Sequence, residues 1–286
     1  MRSLLGRLML LVILLLAGCT VRLSGQTPDQ TPSPAPSPTT ISVPPAVRTA
    51  QAFCAPAEQI TPSECSALVA LYSSTNGAGW KDHSGWLTAA APCTWYGITC
   101  VDGKIDKLNL MDNGLRGLLP ETIRGLSNLR QLYLQANQLS GPIPAGLEEL
   151  AQLRVLLLSF NQFNGPIPER LGNLQNLIVL YLDGNQLTGS IPANLGNLHR
   201  LRYLFLQTNQ LSGPIPATFT NLSALQDLHL YENQLEGPVP ENLDALPQLQ
   251  HVKLEKNDAS LCLPAKLQTW ANSREIYPPP PGGICQ

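Results

Sequence analysis

Asp227, His229, His251 and Glu255 are the side chains best suited to chemistry, because carboxylates and imidazoles on neighbouring strands can hold a metal ion or exchange protons. Nothing else in the chain supports that use. No nucleophile motif, Gly-rich phosphate loop or metal-spaced motif accompanies them, so neither catalysis nor a metal or other cofactor is expected. The other reactive residues are seven cysteines, of which Cys19 stands apart. The remaining six fall close together in the chain as Cys54 with Cys65, Cys93 with Cys100 and Cys262 with Cys285. Proximity is the ground for this pairing, and other connectivities stay open. Metal ligation is a poor alternative, since no CxxC pair meets a second pair or a histidine cluster.

The elements that must position these residues show themselves as a repeat. The stretch LYLQANQLSGPIP is followed by LLLSFNQFNGPIP, LYLDGNQLTGSIP, LFLQTNQLSGPIP and LHLYENQLEGPVP. Asn113, Asn137, Asn161, Asn185, Asn209, Asn233 and Asn257 recur every 24 residues, and glycines from Gly117 to Gly237 and prolines from Pro120 to Pro240 keep the same step. A fixed period of this size marks a solenoid. The LxL motif alternates with period two, which predicts a short strand whose leucines point one way. One such unit cannot bury its apolar face alone, so copies must stack and share a core. Each asparagine carboxamide has donors and an acceptor that need backbone partners, most readily in the adjacent coil, so the asparagines are expected to form a ladder. The glycine permits a backbone that a Cβ would block, and the prolines suit a turn.

These residues resemble the plant-type class of leucine-rich-repeat proteins, with its pattern LxxLxLxxNxLxGxIPxxLxxLxx. Six units match from Ile105 to Gln248, and a seventh starts at Leu249 and decays at VKLEKNDASLCLP, as a terminal cap does. CTWYGITC, Cys93 to Cys100, is similar to the CxWxGVxC signature of the N-terminal caps of that class. Upstream, Thr61-Pro62-Ser63-Glu64 reads as a capping box opening a helix, and Trp80 and Trp86 as cap core. CLPAKLQTW reads as a short closing helix. The resemblance implies an α/β solenoid: a right-handed leucine-rich-repeat superhelix with a parallel concave β-sheet and disulfide-closed N- and C-terminal caps. The boundaries that follow are residues 54–104 for the N-terminal cap, 105–257 for the repeats and 258–286 for the C-terminal cap.

The first 53 residues differ in kind. Arg2 and Arg7 precede the apolar run Leu8 to Ala17, too short to span a bilayer but suited to a signal peptide. It ends in Leu16-Ala17-Gly18-Cys19, which resembles the bacterial lipobox. That resemblance implies cleavage after residue 18, lipidation of Cys19, and a protein exported and lipid-anchored to the bacterial cell envelope, at the surface or on a periplasm-facing membrane. Residues 19–53 are then a Pro/Ser/Thr-rich tether without hydrophobic period. Without Arg2 and Arg7 the net charge falls from −2 to −4. Membrane attachment through a basic patch is therefore not expected, and neither is a nucleic-acid partner.

Between the buried leucines, the free strand positions should face the concave side. In order they are Asn109, Tyr133, Leu157, Tyr181, Phe205, His229 and Lys253, with Val155, Val179, Tyr203, Phe160 and Tyr231 in neighbouring columns. Tyr133, Phe160, Tyr181, Tyr203, Phe205, His229 and Tyr231 are thus the expected ligand-binding residues, flanked at the C-terminal end by Asp227, Glu232, Lys253, Glu255 and Lys256. An apolar, aromatic patch of this kind points to a protein or peptide partner. The alternatives are a polysaccharide-binding or enzyme-inhibitor module, or rings that serve only to pack across strands. A sheet of seven strands would be ~29 Å wide, room for roughly eight or nine residues of extended chain.

Overall fold

The computed structural model describes residues 60–88, 90–273 and 281–285. The expected signal peptide, Cys19, the tether and Cys54 lie outside the described residues. The chain opens with helix α1 (Pro62–Ser74), started by the expected capping box. Thr61 Oγ1 accepts from the Glu64 backbone N–H, and the Glu64 carboxylate accepts from the Thr61 backbone N–H at 2.8 Å. Glu64 is buried, and its other oxygen accepts from the Ile105 backbone N–H, so the helix start is tied to the first repeat.

Strand β1 (Ile98–Val101) closes the cap, and each coil then gives one strand to each of two sheets. These are β2 (Lys104–Asn109) and β3 (Arg116–Leu118), β4 (Gln131–Tyr133) and β5 (Gln138–Pro142), β6 (Val155–Leu157) and β7 (Gln162–Gly165), then β8 (Val179–Tyr181) and β9 (Gln186–Ser190). They continue as β10 (Tyr203–Phe205) and β11 (Gln210–Pro214), β12 (Asp227–His229) and β13 (Gln234–Glu236), ending in β14 (His251–Lys253). The main sheet runs β1-β2-β4-β6-β8-β10-β12-β14. It therefore has eight strands where seven were expected. The extra one is β1, which pairs antiparallel with β2 and supplies the edge the first coil would lack. The side sheet, β13-β11-β9-β7-β5-β3, was not anticipated. Its strands carry only one apolar residue each, such as Leu139 or Leu187, so no apolar period reveals them.

Leucines from both sheets and from the short 3-10 turns, such as Leu132, Leu134, Leu139 and Leu147 in one coil, fill a continuous core. The asparagine ladder forms as expected. Asn185 Nδ2 donates to the carbonyls of Leu158 and Leu182 at 3.1 and 3.0 Å, and its Oδ1 accepts from the Phe163 N–H at 3.0 Å. Asn137, Asn161, Asn209, Asn233 and Asn257 repeat the pattern. Asn113 has no preceding coil, and the cap loop takes its place: Asn113 Nδ2 donates to the Asp82 carbonyl and Oδ1 accepts from the Asp82 N–H. Gly141 and its counterparts take positive φ, 75° at Gly141, which a Cβ would strain.

Cys93–Cys100 and Cys262–Cys285 are disulfides. Cys65 is also disulfide-bonded, and the expected partner Cys54 lies outside the described residues. The C-terminal end closes with a 3-10 turn (Ala265–Leu267) running into helix α2 (Gln268–Ser273), as CLPAKLQTW suggested. Among the described residues no helix is long and apolar enough to cross a membrane.

Candidate ligand-binding face

One face of the main sheet packs on the leucine core and the other is open, the face expected to be concave. In each short strand the middle residue is buried and its two neighbours are half-buried on the open side. Register places Tyr133, Leu157, Tyr181, Phe205, His229 and Lys253 in one column and Val155, Val179, Tyr203, Asp227 and His251 in the next. Both columns match the expected order.

The central rings form a stack. Tyr181 and Phe205 lie 4.2 Å apart and nearly parallel, and Phe205 and His229 lie 4.1 Å apart at 7°. Tyr231 tilts against His229 at 6.3 Å. Burial, helped by the nearby Lys253, pushes the His229 imidazole down to about 4, so it is neutral at neutral pH, and burial raises the Tyr181 hydroxyl above its ordinary value. Tyr133 stands apart from the stack beyond Leu157, with the Lys107 ammonium 5.0 Å from its ring centre and its hydroxyl donating to Gln131. Tyr203 donates to Gln226. The structure therefore joins four of the seven expected ligand residues, Tyr181, Phe205, His229 and Tyr231, and ties Tyr133 and Tyr203 to neighbouring side chains.

Phe160, the remaining one, is the most exposed large apolar residue among the described residues, at 63%. It sits just before Asn161 with φ of 54°, in the left-handed region where a bulky residue is an outlier. Its ring lies over Gly184 of the next coil, where a Cβ would come within 2.7 Å of Phe160 Cδ1. Together Phe160, Tyr181, Phe205 and Leu157 wall a shallow depression of ≈ 360 Å³ in the open face. Its polar lining is Ser159, Asp183, Gln135 and Gln207, one residue from each of four consecutive coils. Ser159 Oγ donates to the buried Asp183 carboxylate. Burial raises that carboxyl above the usual range, and the Ser159 hydroxyl and Asp183's own backbone N–H only partly oppose this.

Of these polar residues, Ser159, Asp183 and Gln207 were not among the expected contact residues. Their column, two positions before each ladder asparagine, also holds the expected ligand residue Tyr231, yet Ser159, Asp183 and Gln207 are buried. A signal was present in Gly184, a glycine at the coil position that Ala136, Phe160, Thr208 and Glu232 occupy with positive φ. The suspected chemical cluster resolves into a pair: His251 Nδ1 contacts Asp227 Oδ1, while His229 stacks on Phe205. Among the described residues no group of three or more His, Cys, Asp or Glu side chains could hold a metal ion.

The description "Leucine rich repeat" fits residues 104–163, "Leucine Rich repeats (2 copies)" fits residues 175–222 and "Leucine rich repeat N-terminal domain" fits residues 61–101. This chain is a plant-type leucine-rich-repeat protein with the matching N-terminal cap. The leucine-rich repeat receptor protein kinase EMS1 of Arabidopsis thaliana is 42% identical over 72 residues, 25% of this chain and 6% of that protein. The chain thus spans a small part of the curated relative's length. Among solved structures, a plant ice-binding protein superposes with TM-score 0.64 at 27% identity, covering 72% of this chain and 66% of its own. The structure of PEPR1-AtPEP1 superposes with TM-score 0.55 at 33% identity over 70% of this chain and 32% of its own.

Proposed function

We propose that the leucine-rich-repeat domain is a binding module whose open face takes a peptide or a convex protein surface, without catalysis. The observation that carries this reading is the Tyr181–Phe205–His229 stack beside the exposed Phe160, an aromatic patch on a face that no other described element covers. Phe205 has both faces against other rings, so the stack presents ring edges outward. A sugar platform needs open ring faces, which favours a polypeptide over a polysaccharide. The pairing of PEPR1 with AtPEP1 in a structural neighbour supports the same choice. The test is capture from envelope and environmental extracts by the immobilised full chain and by Phe205→Ala with an unchanged circular dichroism spectrum. Polypeptides retained only by the parent protein support the reading; equal capture by both removes it.

Presentation at a bacterial envelope is part of the same proposal, with Cys19 lipidated, residues 19–53 as tether and residues 54–286 as the displayed caps and repeats. It rests on Leu16-Ala17-Gly18-Cys19. Palmitate labelling in a bacterial host should mark the protein and be lost in Cys19→Ser. Label retained by the variant, or a mature N-terminus other than Cys19, defeats the anchor.

A second reading is favoured by the likeness to a plant ice-binding protein. The side sheet is a regular, mostly uncharged polar array, in which Gln162 lies opposite Ser140, Gln186 opposite Asn164, Gln210 opposite Thr188 and Gln234 opposite Ser212. Inhibition of ice recrystallisation by the parent protein, abolished by charges at Thr188 and Ser212, supports this reading; no inhibition discards it.

A further inference from the structure

We propose that the depression between Phe160 and the Tyr181–Phe205 stack is a socket for a guanidinium group, an arginine side chain presented by the polypeptide partner. This rests on the reading of the open face as a binding surface and names what that surface selects.

The first argument is charge. Asp183 is only 5% exposed, its one described side-chain partner is the Ser159 hydroxyl, and among the described residues no ion pair reaches it. A buried carboxylate without a cation is costly, and pairing relieves it. Of the other carboxylates flanking the aromatic patch, Asp227 contacts His251 and Glu232 contacts Lys256 and Thr208; Glu255 also keeps one buried oxygen without a donor, but it does not line this depression. The second argument is unmet hydrogen bonding. The side-chain oxygens of Gln135 and Gln207 are buried without a donor, and Gln207, 8% exposed, lines the same depression as Asp183. Three residues with unmet or uncompensated acceptor groups, in consecutive or near-consecutive coils, therefore line one hollow, and no basic residue lines it. A guanidinium brings five N–H donors in one plane, and no acceptor. An ammonium offers three from a point, and a neutral amide would leave the carboxylate uncompensated.

The third argument is shape. Both faces of Phe205 are covered by Tyr181 and His229, so the ring that can receive a planar cation is Phe160. Its exposure is maintained by a left-handed backbone and by Gly184, whose missing side chain leaves room for the ring. A flat cation lying on Phe160 with its N–H groups toward Asp183 uses the ring's negative face and the carboxylate together. Another hollow of similar size serves as a contrast. It is lined by Asp106, Arg130 and Lys104 among others, and its Arg130–Asp106 pair at 2.7 Å already neutralises the charge within it.

The experiment titrates the full chain with two synthetic peptides, acetyl-Gly-Arg-Gly-amide and the same peptide with citrulline replacing arginine, following the Phe160 ring and Gln207 amide resonances by NMR. Citrulline has nearly the shape of arginine and no charge. The expected result is saturable shifts with the arginine peptide, at least tenfold weaker affinity for the citrulline peptide, and at least tenfold loss for the arginine peptide in both Asp183→Asn and Phe160→Ala. Phe160 is exposed, so its variant keeps the test decisive should Asp183→Asn disturb the coil. Equal affinity for both peptides, absence of saturable shifts, or full affinity in Phe160→Ala would overturn the proposal. If the socket fails in this way while Phe205→Ala still abolishes partner capture, the open face remains a binding surface and only its selectivity for arginine falls.

Discussion

Two aromatic clusters lie at different places on this molecule and use the same ring contacts to opposite ends. In the N-terminal cap, Trp80, Trp86 and Tyr72 pack with centroids 4.8 to 6.0 Å apart, and Trp95 joins Trp86 at 5.1 Å. All three indoles are buried and all three donate to backbone carbonyls, of Thr75, Tyr96 and Ala90. No indole N–H is left for a partner. On the open face, Tyr181, Phe205 and His229 are only half-buried, and among the described residues the hydroxyls of Tyr181 and Tyr231 have no intramolecular hydrogen bond. A sealed cluster with satisfied polar tips stabilises the fold, whereas one with open edges and unmet polar groups stores binding capacity.

The contrast can be broken from the cap outward. Trp95→Ala should lose about 3–5 kcal/mol, the cost of a large buried side chain, while binding per folded molecule stays unchanged. Urea unfolding read beside partner capture checks it, and intact stability would mean the cap is not a core. Next is the ladder: Asn185→Ala strands the Phe163 N–H and the Leu158 and Leu182 carbonyls, so a loss of about 2–3 kcal/mol is expected. An unchanged melting temperature would contradict the role of the carboxamide. On the face, Phe205→Ala should weaken binding by about 2 kcal/mol or more. Its stability should fall by about 1–2 kcal/mol, the scale of its two aromatic pairs. The reverse proportion would return the stack to strand packing.

A pH dependence of stability is also expected. His229 titrates at about 4 when folded and near its ordinary 6.5 when unfolded, so the unfolded chain takes up the proton first. The stability held above pH 6.5 is therefore lost as pH falls toward 4. Asp227, His251 and Lys253 face the same imidazole, and Asp227 opposes the shift. His229→Gln should flatten that limb of the stability curve, and NMR titration of the imidazole should place its midpoint well below that of an exposed histidine. A midpoint near 6.5 would show that the ring is not held dry.

The ladder, the glycine positions and the cap helix were legible because each depends on residues at fixed offsets: Asn185 serves carbonyls in its own coil and the one before, and Thr61 with Glu64 closes a single turn. The side sheet was not legible, since its strands Gln186–Ser190 and Gln210–Pro214 are polar on both sides of one leucine and pair with a stagger, Gln210 opposite Thr188. β1 was hidden for a related reason: it is a strand only because β2 offers it an edge.

By itself, then, the sequence determined the 24-residue coil, the buried leucine faces, the caps and the columns of the open face, because stacked copies of one short unit can bury their apolar side in only one register. Which variable letters meet was decided by the tertiary structure. Phe160 gains its position from a glycine 24 residues on, Asp183 becomes a buried carboxylate through the coils above and below it, and Asn113 finds its partners in the cap loop at Asp82. Such contacts join residues from different coils, where burial and hydrogen bonding depend on the neighbour and not on the residue alone.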